Sequence, residues 1–511
     1  MFGGFKMKMV KSLLLGSAAG VVALAGAQAA DLPVKAAPVQ YVKICSLYGV
    51  GFYYIPGTDM CIKVGGWIRA QYDYGMNGST TFGPFRGNVN DRTTANSVWR
   101  TRGYITIDAR NQTPYGTVRG YLDVGFSSTQ TNGDQGLVLN ANRGFIQWAG
   151  FTFGEATSFY DFYSVAATSF LPAWPSSTTG GGGWMVAGYT AQLGNGFSAT
   201  IAIEQPRTTE IIGQGAAPGA VQAGTLNLAI NPGLAAAGAG AVLGANGYGG
   251  FQAPDVVGNL RVDQAWGSAQ VMGAWHQVNT TYYASSGAFT GLGAGHPGDE
   301  SGWALGAGLK LNAPMFGPGD YFQSQVNYTE GAALYAYALQ RFTHYYRDGD
   351  TAGYGIMSDA VYGGTVAAGN NTGLNLTTAW NVNAAFEHHW NAQWRTSIYG
   401  GYAEITYNGE ANAILCSLEG FGNGTGVGST AVAAAGCDND WSTWWVGSRT
   451  KWNVTKDFYM GVDVLYSSLQ SASATNNFLP TAPTNGAARS LFVGDQDALS
   501  VEFRVHKDFY P

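Results

Sequence analysis

Charged side chains that recur at every second position are the residues with chemistry to offer. Arg100, Arg102, Tyr104, Thr106, Asp108 and Arg110 alternate with Ile105, Ile107 and Ala109. In the following segment Thr117, Arg119, Tyr121 and Asp123 alternate with Val118, Leu122, Val124 and Phe126. Side chains of an extended strand point to opposite faces with period two, so each segment turns one face to an apolar medium and the other to water. By the same parity Lys63, Arg69 and Arg143 fall on the wet face of neighbouring segments. Cations grouped on one wall need hydration or an opposing charge, and the field they set weighs anions against cations.

The remaining reactive types point to structure. Cys45 lies 16 positions from Cys61 and Cys416 lies 21 from Cys437. No His stands near either pair and neither spacing resembles C-x-x-C, so zinc is disfavoured. Of the three possible connectivities, local pairing, Cys45 with Cys61 and Cys416 with Cys437, closes short loops, each stabilising by about 3 kcal/mol in chain-entropy terms. Glu387-His388-His389 invites a metal reading, but adjacent residues of a strand face opposite sides, so both imidazoles are not expected in one site. No spacing singles out a nucleophile, His and orienting group for hydrolysis, and no Gly-rich stretch carries G-K-[ST]. The expectation is therefore no enzyme, no metal and no cofactor.

The elements that position the basic wall form one long series. The alternation template finds 16 strands, starting near Ile62, Ser97, Tyr115, Arg143, Phe151, Trp184, Phe197, Asp255, Ser268, Ser301, Tyr321, Asn375, Gln393, Trp441, Asp457 and Leu491. Tight turns at Thr113–Gly116, Gly194–Gly196, Asn391-Ala392 and Thr455–Asp457 alternate with connections of tens of residues, including 205–254 and 330–372. Residues 211–254 are 44 positions without a charge, broken by 11 glycines and three prolines, and read as a low-complexity external loop. A short helix is expected within 333–347. Tyr72, Tyr74, Trp390, Trp394, Trp444, Trp452, Phe458 and Tyr466 recur near strand ends, where an amphipathic ring suits a membrane interface.

Composition agrees. Of 511 residues only 11% are charged and 46% hydrophobic, with 75 glycines, against about 25% charge in an ordinary soluble domain. Mean hydropathy is only −0.05, which excludes a bundle of spanning helices. The predicted fold is an all-β, 16-stranded antiparallel transmembrane β-barrel with short periplasmic turns and long external loops. Lys6, Lys8 and Lys11, an uncharged stretch from Ser12 and Ala27-Gln28-Ala29 predict a signal peptide over residues 1–29, leaving a single barrel domain over 30–511. Without those three lysines the balance is 23 basic to 32 acidic residues, which disfavours nucleic-acid binding.

The runs Cys45–Gly49, Tyr53–Asp59, Cys61–Lys63 and Tyr189–Thr200 resemble the general porins of alphaproteobacteria, the rhizobial type, and the resemblance covers the chain beyond the signal. It implies a homotrimer in the bacterial outer membrane, in contact with its lipid, passing small hydrophilic solutes and ions. It also implies an inward-folded third loop, here 158–183, carrying Asp161 against a constriction wall of Arg69, Arg100, Arg102, Arg119 and Arg143. A structural or adhesive barrel with a closed lumen is the alternative. One departure from the pattern is that Phe509 and Tyr510 are followed by Pro511, where outer-membrane barrels commonly end on an aromatic.

Overall fold

The computed structural model describes residues 44–75, 97–131, 134–162, 168–171, 177, 179–213, 247–283, 295–337, 346–348, 351–364, 369, 371–418, 436–473, 478–480 and 490–509. The expected signal peptide lies outside these residues, as do positions 214–246 of the uncharged loop and 338–345 of the segment expected to be helical. Two compact units divide at Cys61. In the first, Cys45 and Cys61 form a disulfide, and both pack with Phe52 in a small apolar cluster.

The second unit is built on sixteen antiparallel strands: β1 Cys61–Gly75, β2 Ser97–Thr113, β3 Gly116–Thr131, β4 Asp134–Trp148, β5 Phe151–Ala156, β6 Trp184–Gly194, β7 Phe197–Glu204, β8 Asp255–Gln264, β9 Gly267–Val278, β10 Glu300–Asn312, β11 Tyr321–Glu330, β12 Thr378–His389, β13 Trp394–Thr406, β14 Trp441–Thr455, β15 Phe458–Gln470 and β16 Gln496–Asp508. Each pairs with its sequence neighbours, and β16 pairs with β1 from Trp67↔Asp508 to Gly75↔Ser500, so the sheet closes with no free edge. The expected strand count holds.

Exposure is inverted relative to a water-soluble fold. Ile105, Ile201, Val271, Leu305, Ile398 and Leu499 point outward and are more than half exposed, while Gln325, Asn381, Asp463 and Glu502 point inward and are buried. An apolar outside around a polar inside is what lipid around an aqueous lumen requires. Exposed Tyr74, Trp390, Trp394 and Trp444 mark strand ends, with Trp394 stacked on Trp452 at 5.6 Å.

Three segments depart from the predicted elements. Strand β4 begins at Asp134, nine residues before Arg143, because Asp123 pairs with Arg143 while Val124 pairs with Ala141. The extra residue, Asn142, is a β-bulge that shifts the outward face from Leu137 and Leu139 to Ile146 and Trp148, so no single alternation runs through the strand. Near the C-terminus, Ser490–Val493 is a separate short strand paired with Phe478–Pro480, and β16 starts only at Gln496. Among the described residues of the segment expected to be helical, Ala333–Tyr335 is a 3-10 turn and Tyr346 opens a short strand, Tyr346–Asp348.

Tight turns and long loops lie at opposite ends of the barrel. Asn195, with φ +49°, sits between Gly194 and Gly196, both also at positive φ, a conformation that a two-residue hairpin turn demands. Among the long connections, Ile211–Gly213, Ala360–Tyr362 and Asn375–Leu376 form a three-stranded sheet. Helix α1, Gly409–Leu418, is capped by Asn408, whose side-chain oxygen accepts from the Ala411 N–H at 2.8 Å. It carries Cys416, bonded to Cys437. Both disulfides are the local pairs expected.

Candidate pore constriction

The polar faces of β1 to β4 and β16 form one wall. Arg69 donates from Nε to His506 Nδ1 at 3.3 Å and lies over the Trp67 ring at 4.6 Å. Arg102 donates to Ser127 Oγ at 3.2 Å and to the Tyr104 hydroxyl at 2.9 Å, and faces the rings of Tyr104 and Trp67. Arg119 stands opposite Arg110 in register, and Asp108 takes both guanidinium groups, at 2.9 and 2.7 Å. Arg119 also donates to Gln147 Oε1 at 2.9 Å. Arg143 is paired in register with Asp123, and Arg100 with Thr129. The arginines thus share one face, in neighbouring strands, held by aromatic faces and by carboxylates fewer than themselves.

Asp161 is placed differently from expectation. Its carboxylate is fully buried at the base of the 157–183 connection, where it accepts from Ser177 Oγ at 2.9 Å and from the Thr179 N–H and hydroxyl, both at 2.7 Å. Arg207 completes the shell at 2.8 Å. Burial alone would lower the Arg207 pKa, but Asp161, Tyr335 and Glu204 together outweigh it and raise the pKa above its ordinary value. Asp161 therefore pins the connection from within and presents no charge to the wall, because every lone-pair direction is already occupied.

Described residues of the connection lie against the inner faces of several strands. The Phe159 and Tyr160 carbonyls accept from Asn259 and Gln270 on the inner faces of β8 and β9. Farther along, Ser397 donates to the Thr168 carbonyl at 2.9 Å and Arg504 donates to the Phe170 carbonyl at 2.6 Å. Asp463 of β15 accepts from the Ser169 hydroxyl and the Phe170 N–H, and its other oxygen accepts from Tyr399 at 2.6 Å. Bare glycines make room: a Cβ at Gly308 would stand 2.3 Å from the Phe162 ring and one at Gly461 would stand 2.7 Å from Phe170. The described parts of the connection are thus anchored on β8, β9 and β13 to β16. Over β12 to β15 nearer the long-loop end, Tyr354, Ile356 and Met357 pack on Ile405, Trp441, Trp445 and Leu469.

Arg449, Arg395, Asp463, Glu502 and Arg504 belong to the same lumen without being among the expected site residues, and Glu387, which in sequence invites only a metal reading, faces it with them. The period-two rule carries the signal for them, since Val462 and Val464 flank Asp463, and Phe503 lies between Glu502 and Arg504. The expectation for His388 and His389 is corrected. Both Nδ1 atoms approach Asp320, at 2.6 and 3.5 Å, because β12 ends at His389 and strict alternation lapses there. No group of three or more His, Cys, Asp or Glu suited to a metal occurs among the described residues.

A family model described as the porin subfamily matches residues 31–499. The chain belongs to that family. Porin Omp2b of Brucella suis biovar 1 is 31% identical over 283 residues, 53% of this chain and 66% of that protein. Porin Omp2a of Brucella ovis is 35% identical over 212 residues, 38% of this chain and 59% of the relative. The chain thus spans less than two thirds of the length of these curated relatives. The outer membrane channel DcaP of Acinetobacter baumannii shares the barrel fold, with TM-score 0.53 and 12% identity over 89% of this chain and 99% of that one. Porin family membership and a closed transmembrane barrel place the protein in the outer membrane.

Proposed function

We propose that the protein is a passive aqueous channel for small hydrophilic solutes and ions, narrowed between the inserted 157–183 connection and the wall of Arg69, Arg100, Arg102, Arg119 and Arg143. The observation that carries this reading is the anchoring of Ser169 and Phe170 on β15 and β16, inside a barrel whose adjoining wall, β1 to β4, carries the cations. Sixteen strands leave an interior wide enough for water, whereas about eight leave one filled by side chains. Selectivity then comes from width and lumen charge, favouring anions, and the chain acts by conduction and not by catalysis.

The mature channel is residues 30–511, exported by the 1–29 leader and set in outer-membrane lipid as a homotrimer. Support for subunit packing comes from the outer face of β2 to β5, where Ala109, Gly120 and Gly144 leave a groove of about 650 Å³ beside Ile107, Leu122, Ile146 and Phe153. Reconstitution into a planar bilayer tests the channel: stepwise conductance in KCl is expected, and its absence from folded protein would favour a closed-lumen barrel. Chemical cross-linking of the folded protein in mild detergent tests the trimer.

A further inference from the structure

The inner wall of β10 to β15 toward the tight-turn end holds a second group of cations that the constriction does not use. Arg395 and Lys451 are direct partners in the β13–β14 register, so two positive side chains stand opposite each other on one face. Such like-charge pairs are destabilising in a sheet unless a counter-charge joins them. Glu387, buried on β12, is the nearby carboxylate, and it is already divided: one oxygen faces Arg395 at 3.0 Å and the other takes Arg449. Lys451 feels Glu387 and Asp508 only at longer range and makes no salt bridge among the described residues, and its ammonium rests over the Tyr459 ring, 3.5 Å from the centroid. Four strands along, Lys310 rests likewise over Tyr321, at 4.4 Å. The Nε atoms of Arg395 and Arg449 are buried without a hydrogen-bond partner among the described residues.

We propose that Arg395 and Lys451, backed by Arg449, form a binding site for a divalent oxyanion of the phosphate type on the tight-turn side of the constriction. The inference rests on the channel reading above and deepens it, by adding a stop on the solute path to a purely diffusive passage. Each part of the chemistry is present. A planar guanidinium offers donors matched to two oxygens of one anion, and a lysine adds a compact charge with three donors. The rings of Tyr459 and Phe170 hold Lys451 and Arg449 in place by cation–π contact, so little side-chain freedom is lost when an anion arrives. Arg449 also lies over Phe170 of the inserted connection at 5.2 Å, which sets the site next to the narrowing. A divalent anion joins the opposed pair where chloride, with half the charge and no fork of oxygens, holds it less well.

Single-channel recording in KCl with inorganic phosphate added to either compartment at pH 7 reads the site. Saturable block of the chloride current is expected, stronger from the compartment facing the tight turns. In K451Q and R395Q the half-blocking concentration should rise at least about tenfold, one factor of ten corresponding to about 1.4 kcal/mol. K451R should retain the block, and K507Q, outside the lumen at the turn rim, should behave as the parent. Calorimetric titration of phosphate into detergent-folded protein gives a second reading, with heat of binding expected for the parent and lost in K451Q. Steps in KCl without phosphate block, or equal block in the parent and K451Q, would overturn the site while leaving the channel intact. Absence of any conductance would overturn the channel reading itself, and the calorimetric result would then decide the site.

Discussion

Arg504 donates to the carbonyl of Phe170 at 2.6 Å across 334 positions of sequence, tying the inserted connection to the last strand of the barrel. The same guanidinium lies over the Phe170 ring at 4.5 Å and binds Glu502 at 2.6 Å. One side chain thereby fixes both the depth of the connection and the charge beside it.

The partner anchor is Asp463. Replacing it with Ala removes the acceptor from the Ser169 hydroxyl and the Phe170 and Leu171 N–H groups, each bond to a charged acceptor being worth about 1.5–3 kcal/mol. The D463A channel should conduct more and show noisier open levels than the parent, as the connection samples positions off the wall. Single-channel amplitude and noise measure this. An unchanged amplitude would mean that the connection does not limit flow.

The basic wall is tested by charge. Replacing Arg100 and Arg102 together with Ser should move the reversal potential under a KCl gradient toward cation preference and raise conductance, since bulk and charge are both lost. Lys507→Gln should do much less. That lysine is exposed at the turn rim beside Asp457, where charges are screened within about 8 to 10 Å. Equal shifts in the two variants would show that the wall does not face the narrow part of the path.

The buried Asp161–Arg207 pair predicts a stability asymmetry. Arg207→Met leaves a carboxylate fully buried without its counter-ion and should cost about 3–5 kcal/mol, whereas Arg207→Met with Asp161→Leu should recover most of that loss. Urea unfolding followed by tryptophan fluorescence compares the three proteins.

Asp320 gives a pH dependence. Burial alone would raise its pKa, but the His389 N–H and the His388 ring outweigh burial and hold it below the ordinary carboxylate value. A depressed folded pKa contributes stability that is present above the unfolded value, about 3.9, and is lost as pH falls through the folded one. Asp320→Asn should therefore lower the urea midpoint at pH 7, and the gap to the parent should narrow below about pH 4.

Most of the barrel was legible because a strand between lipid and water writes its two faces into alternate residues. The inward set Ser500, Glu502, Arg504 and His506 is buried and the outward Leu499 and Phe503 are exposed, as alternation required. Legibility failed where the backbone leaves period two: at the Asn142 bulge in β4 and at His389, where β12 stops. It failed again for Asp161, since a carboxylate in a Gly-rich connection looks the same in sequence whether it faces water or closes on Arg207. Parity places a charge on a wall, but it carries no information about which loop folds over that wall.

The seam between β1 and β16 carries Arg69 on one side and His506 and Arg504 on the other, 437 positions separating Arg69 from His506. The charged band is thus split between the first strand made and the last. Contacts of such separation form late, after the entropy of closing the longest loop in the chain has been met. An unfinished barrel in transit therefore has no complete selective aperture, and the ability to discriminate among solutes arrives in the same step that seals the wall against leakage.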